Sequence, residues 1–372
     1  MHHAVSLRTH DDRPRRTLRV IAGTRRTLRV IALGLCIVAA AARPSAAEDG
    51  PIRVFAITPD LAALAREVGG DQVSLTVVVK GPEDPHHAEA KPSLIRALHD
   101  AELFLQNGLD LEVGYAPLLL QQARNPAVQP GSPGFLDASL AMGGALDRPT
   151  GVIDRSMGDL HPGGNPHYLL DPLRAVAVAR AIATRLGELR PASRATFEAS
   201  FATFQKKVWS ALVGDALAVK YGADVGKLAL LFQHGKLSSF LDQQGERAQL
   251  GGWLAALLPY VGAKAVDDHP IWAYFSDRFG LQVVGHLEPL PGVPPTTKHL
   301  EEIIGTMKAD GVRIVLASAY YDPRYARFVS DATQATVLRM ANQVEAVPAA
   351  SNYVAMIDYD VQQVATALGT KR

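Results

Sequence analysis

Three histidines stand in proline-flanked loops far apart along the chain: Asp84-Pro85-His86, Asn165-Pro166-His167 and Asp267-Asp268-His269-Pro270. Imidazole nitrogens on separated loops can meet only after the whole chain has folded. If they do meet, the fold must bring the three loops to one crevice between lobes, where they form a candidate metal site. The only cysteine, Cys36, lies in the amino-terminal apolar run. Any metal must therefore be held by imidazole, carboxylate, amide or water.

That amino-terminal part differs from the rest. Arg13, Arg15, Arg16, Arg19, Arg25, Arg26 and Arg29 precede an apolar run from Val30 to Ala42, and Pro44-Ser45-Ala46-Ala47 offers small residues for cleavage before Glu48. This is the layout of a secretory signal over residues 1–47, and it predicts a periplasmic protein. Arg15 to Ala22 recurs as Arg25 to Ala32, which reads as a start codon placed too early. No later stretch approaches the roughly 20 apolar residues of a spanning helix, so no stable membrane insertion is expected. With 38 basic against 37 acidic residues, nothing electrostatic points to nucleic acid.

The remaining length suits two domains. Ile52 to Thr58 and Val73 to Lys80 read as strands around a helix reaching about Val68, and Pro92 to His99 reads as a helix before a strand at Glu102 to Gln106. Strand and helix in alternation imply a parallel sheet covered on both faces, with ligands at the carboxyl ends of strands, where His86 falls. Asp171-Pro172 starts a helix whose apolar face is Leu173, Val176, Ala179, Ile182 and Leu186. Phe197, Phe201, Phe204, Val208 and Leu212 mark a long helix from Ser193 to about Ala216, with the aromatics in the core. The second half repeats the rhythm: strands at 264–266, 281–287 and 312–317, and helices at 296–308, 322–330 and 352–368. The expected organisation is an amino-terminal α/β lobe over 48–190, a rigid linker helix over 191–217 and a carboxyl-terminal α/β lobe over 218–372. Residues 218–260 resist assignment, although Leu228 to Phe232 looks strand-like.

The order of motifs resembles the periplasmic zinc- and manganese-binding proteins of metal ABC importers. The resemblance rests on His86 with Pro92 six residues later, Ala101-Glu102-Leu103-Phe104, Asn107 to Glu112, Asn165 to Pro172, His269 to Phe275 with Arg278-Phe279-Gly280-Leu281, Glu288-Pro289 and Pro291 to Thr296. It covers nearly all of residues 51–370. It implies two α/β lobes with mainly parallel sheets, a metal in the cleft, and a monomeric chain that delivers its ion to an inner-membrane permease driven by a cytoplasmic ATPase.

The resemblance selects His86, His167 and His269 as ligands. Aligning the chain back from the last helix puts Asn342 where many relatives carry an aspartate; Glu345 or water could fill the same corner. Three neutral imidazoles suit Zn²⁺, whereas Mn²⁺ favours harder oxygen ligands. Asp268 could orient a ring nitrogen of His269. His87 and His161 are read as solvent-facing, and His99, His286 and His299 as structural. His234 remains a candidate for a second or alternative site. The function expected is a receptor that carries Zn²⁺, not an enzyme. The alternatives are a Mn²⁺ receptor or adhesin, and a zinc hydrolase, for which no His-Glu-x-x-His arrangement is present.

Overall fold

The computed structural model describes residues 50–149, 161–290 and 292–370. The expected signal segment and Pro291 lie outside the described residues. The first half runs β1 (Ile52–Ala56), α1 (Pro59–Gly69), β2 (Val73–Val77), α2 (Pro92–His99), β3 (Leu103–Gln106), α3 (Ala116–Ala123) and β4 (Phe135–Asp137). There follow α4 (Pro172–Leu189), α5 (Arg194–Val213), α6 (Asp215–Tyr221), α7 (Val225–Gln233), α8 (Leu237–Gln244) and α9 (Gly252–Leu257). The second half adds β5 (Lys264–Asp267), α10 (Ala273–Phe279), β6 (Gln282–His286), α11 (Thr297–Asp310), β7 (Ile314–Ser318), α12 (Pro323–Thr333), β8 (Thr336–Met340) and α13 (Tyr353–Gly369).

The strands form two four-stranded sheets, wholly parallel, in the orders β2-β1-β3-β4 and β6-β5-β7-β8. The α/β class with two sheets flanked by helices is thus as expected. In each sheet the chain leaves the first strand to one side and returns on the other, which opens a crevice at the carboxyl ends of β1 and β3, and again of β5 and β7. His269 follows β5 and the His86 loop follows β2.

Alternation along the strands splits the core. Ile52, Val54 and Ala56 face a central cluster, while Phe55 and Ile57 face an outer one with Leu98, Phe104 and Leu119. Ala265 and Val266 divide in the same way between the central cluster and an outer one beneath α11 and α12. The central cluster contains side chains from both sheets and from α4, α5 and α13, so the halves share apolar packing.

The long helix forms as its aromatic spacing predicts: Phe197, Phe201, Phe204, Val208 and Leu212 are buried. It packs against α1, α4, α9 and α13. Gly214, at φ +85°, interrupts the helix earlier than the expected Ala216. Leu228 to Phe232 belongs to helix α7, not to a strand; an apolar run this short carries no period that separates the two. No helix among the described residues is long and apolar enough to cross a membrane.

Polar contacts tie the halves together beside the crevice. The Asp60 carboxylate at the start of α1 accepts from the Val344 amide at 2.7 Å, and Tyr353 Oη donates to the Leu169 carbonyl at 2.7 Å. Burial pushes the Asp60 carboxyl up to about 7, against the Val344 hydrogen bond, which favours its charged form. A carboxyl raised in the folded state binds its proton more tightly there than in the unfolded chain. Its contribution to stability is therefore largest near pH 4 and is lost as the pH rises through 7. Glu112, raised to about 8 mainly by burial, acts in the same direction. Asp60→Asn keeps the acceptor and removes the ionisation. In urea melts with chelator present it should flatten the loss of stability between pH 5 and 8 and raise stability at pH 8 by a few kcal/mol at most. An unchanged pH slope would refute this assignment.

Candidate metal centre

Two of the histidine loops are shaped by the polar residue two positions earlier. Asp84 Oδ1 accepts from the His86 amide at 2.9 Å and lies 2.8 Å from His86 Nδ1. Asn165 Oδ1 accepts from the His167 amide at 3.0 Å, and its Nδ2 donates to the Pro270 carbonyl at 2.5 Å. One side-chain amide therefore sets the second loop against the third. Tyr274 Oη reinforces this by donating to the Asn165 carbonyl at 2.8 Å. Tyr115 Oη fixes the first loop through the Pro85 carbonyl at 2.9 Å, and Asn107 Nδ2 holds the Pro166 carbonyl at 3.1 Å. Gly81 lets the loop leading to His86 pass the turn after β8, because a Cβ there would stand 2.1 Å from the Glu345 carbonyl carbon.

These loops bring one nitrogen from each of His86, His167 and His269 to within 4.8 Å of the others. The ring centroids are 5.4, 6.1 and 6.2 Å apart. His269 Nδ1 lies 2.9 Å from Glu288 Oε2, matching the pairing of His86 Nδ1 with Asp84. A carboxylate beside Nδ1 keeps the proton on that nitrogen and leaves the Nε2 lone pair for an electrophile. His167 Nε2 is sealed from solvent and has no hydrogen-bond partner among the described residues. A buried nitrogen without a partner is costly unless something else satisfies it. Burial, with His86, His269 and His161 nearby, holds the His167 pKa well below the usual imidazole range, so the ring is neutral, as a metal ligand must be. Beside the trio opens a cavity of about 380 Å³ lined by His161, Asp147, Asp267 and His286 in addition to His167 and His269.

Asn342 is buried in the turn after β8, its Oδ1 without a partner among the described residues. The adjacent Gln343 Nε2 donates to the carbonyls of Gly81 at 2.8 Å and Glu83 at 2.7 Å, which sets that turn against the His86 loop. Glu345 is exposed. His234 is exposed at the end of α7, and His87 points outward with its side chain 66% exposed.

Three side chains take places that the sequence does not predict. Asp268 does not orient His269; its Oδ2 accepts from the Ser318 amide and hydroxyl at 2.6 and 2.9 Å, tying the ends of β5 and β7. Glu288 holds the ring instead, and its only sequence signal is its place just beyond β6. His161, expected at the surface, lies with its Nε2 3.2 Å from His86 Nε2. Burial and the neighbouring His86 and His269 push its pKa down to about 3.

The comparisons agree with this architecture. The metal ABC transporter substrate-binding lipoprotein ScbA of Streptococcus cristatus is 25% identical over 174 residues, 46% of this chain and 53% of that protein. The manganese ABC transporter substrate-binding lipoprotein PsaA of Streptococcus mitis is 30% identical over 90 residues, 24% of this chain and 29% of that one. In these alignments the chain spans about half or less of the length of the curated relatives it matches. The crystal structure of ZnuA shares the fold, with a TM-score of 0.62 at 21% identity over 85% of this chain and 99% of that one. These relatives are substrate-binding proteins, not enzymes. The family model described as zinc-uptake complex component A, periplasmic, matches residues 54–214 and 244–367, bridging both sheets and omitting only the α6–α8 region between its two parts, and the chain belongs to that family.

Proposed function

We propose that this chain is a periplasmic receptor that captures Zn²⁺ through His86, His167 and His269 and hands it to an ABC permease driven by a cytoplasmic ATPase. The observation that carries the reading is the pairing of two Nδ1 atoms with Asp84 and Glu288 while His167 Nε2 stays buried and unpaired. One nitrogen from each of the three rings lies within 4.8 Å of the others, an arrangement that suits a tetrahedral, nitrogen-preferring cation. The fourth corner is open to Asn342, water or a further side chain; exposed Glu345 is the weakest of the earlier candidates. A long helix packed against both halves resists wide hinge opening, so capture and release proceed by modest movement of loops or lobes. Of the two candidate bases for a hydrolase, Asp268 is already occupied by Ser318 and Glu345 is exposed.

A manganese receptor is the second reading, because PsaA relatives bear that name. The donor chemistry favours zinc. In competition calorimetry on the metal-free protein, Zn²⁺ should displace Mn²⁺ and bind one ion per chain. Preference for Mn²⁺ would overturn the zinc assignment.

A further inference from the structure

We propose that His161 is the fourth ligand to the ion, so that the site consists of four imidazoles and Asn342 makes no bond to the metal. This rests on the reading of His86, His167 and His269 as the zinc-binding trio. Because Asp84 holds the proton on His86 Nδ1, the His86 Nε2 that meets His161 Nε2 at 3.2 Å carries a lone pair. Two nitrogens bound to one tetrahedral zinc, each about 2.0–2.1 Å from it, stand about 3.3–3.4 Å apart. The observed separation fits two ligands of one ion, and His161 needs to move only towards the three nitrogens that already lie within 4.8 Å of one another. The rings of His86 and His161 are stacked, with centroids 5.3 Å apart at 29°.

The local chain is built to hold His161 there. The Gly164 amide donates to the His161 carbonyl at 3.0 Å, closing a turn in which Gly164 adopts φ +108°. Gly163 passes so close to Leu109 that a Cβ would stand 2.8 Å from its side chain. His161 also lines the same cavity as His167 and His269. A fourth neutral nitrogen in place of an oxygen would raise the preference for zinc over manganese, which favours oxygen donors.

The competing explanation is a plain hydrogen bond, in which His161 Nε2–H donates to His86 and plays no part in binding. X-ray absorption at the zinc edge of the loaded full chain counts imidazoles directly. Four nitrogen ligands are expected, and three nitrogens with one oxygen would overturn the proposal. His161→Ala should weaken zinc binding at least about 100-fold in chelator competition, the upper end of the effect of losing a supporting partner. Asn342→Ala should leave affinity within about threefold. The reverse order of the two variants would overturn the proposal, and so would His161→Ala binding as tightly as the parent. Tight binding by His269→Ala is a separate outcome that would remove the underlying zinc reading as well. Should His161→Ala fail to fold, the absorption count on the parent protein decides alone.

Discussion

His269→Ala is expected to weaken zinc binding by about 100- to 1000-fold. A four-ligand zinc site contributes about 10–16 kcal/mol, so one ligand represents roughly 2.5–4 kcal/mol, and each factor of ten in affinity is about 1.4 kcal/mol. His269 is a stringent choice because its ring is only 3% exposed and is held by Glu288. The substitution also strands the Glu288 carboxylate beside the vacated position, although Glu288 Oε2 still accepts from the Gly292 amide at 2.9 Å. Chelator competition with the metal-free protein measures the effect. Affinity within threefold of the parent would mean that the ion binds elsewhere.

The second large effect is on stability. Arg278 in α10 and Asp171 at the start of α4 form a two-point ion pair, Nε to Oδ1 and Nη2 to Oδ2, both at 2.8 Å, with the residues only 5% and 2% exposed. Asp171 also caps α4 through the Leu173 amide at 2.9 Å. The pair therefore joins the helix that follows His167 to the helix that follows His269. Arg278→Met leaves the buried Asp171 carboxylate with only the longer contact to Arg174 Nε, 3.4 Å from its Oδ2, and removing one partner of a buried pair costs up to about 3–5 kcal/mol. At roughly 2 °C per kcal/mol for a domain this large, the melting temperature of the metal-free protein should fall by roughly 6–10 °C. Adding Asp171→Asn removes the stranded charge while keeping a good helix cap, so the double variant should recover part of the loss. A single variant that melts within 2 °C of the parent, about 1 kcal/mol on that scale, would show that the pair is dispensable.

Much of the fold was legible because local rules decide it. Pro92–His99 and the helix after Asp171-Pro172 begin where proline and the capping aspartate put them, and the aromatic spacing after Pro191 marks a helix whose apolar side chains are indeed buried. The strands at the centre of each sheet are apolar enough to recognise. β4 and β8, at the sheet edges, escaped notice: β4 has only three residues, and β8 carries exposed Thr336 and Arg339, which break its apolar pattern. The same shortness made Leu228 to Phe232 resemble a strand, although it lies in α7.

The sequence by itself determined the three histidine loops and the polar residues that shape two of them, because Asp84 and Asn165 act on amides only two positions away. It could not assign Glu288 to His269, 19 residues earlier, or place His161 against His86, 75 residues away. Nor could it foresee that Asp268, adjacent to His269, would spend its carboxylate on Ser318. Those choices belong to the tertiary structure. Which carboxylate reaches a ring nitrogen, and which two imidazoles share one point in space, depends on how the ends of separate parallel strands are brought together. Hydrogen bonds and coordination act over about 2–3 Å, a distance that folding sets and sequence separation does not.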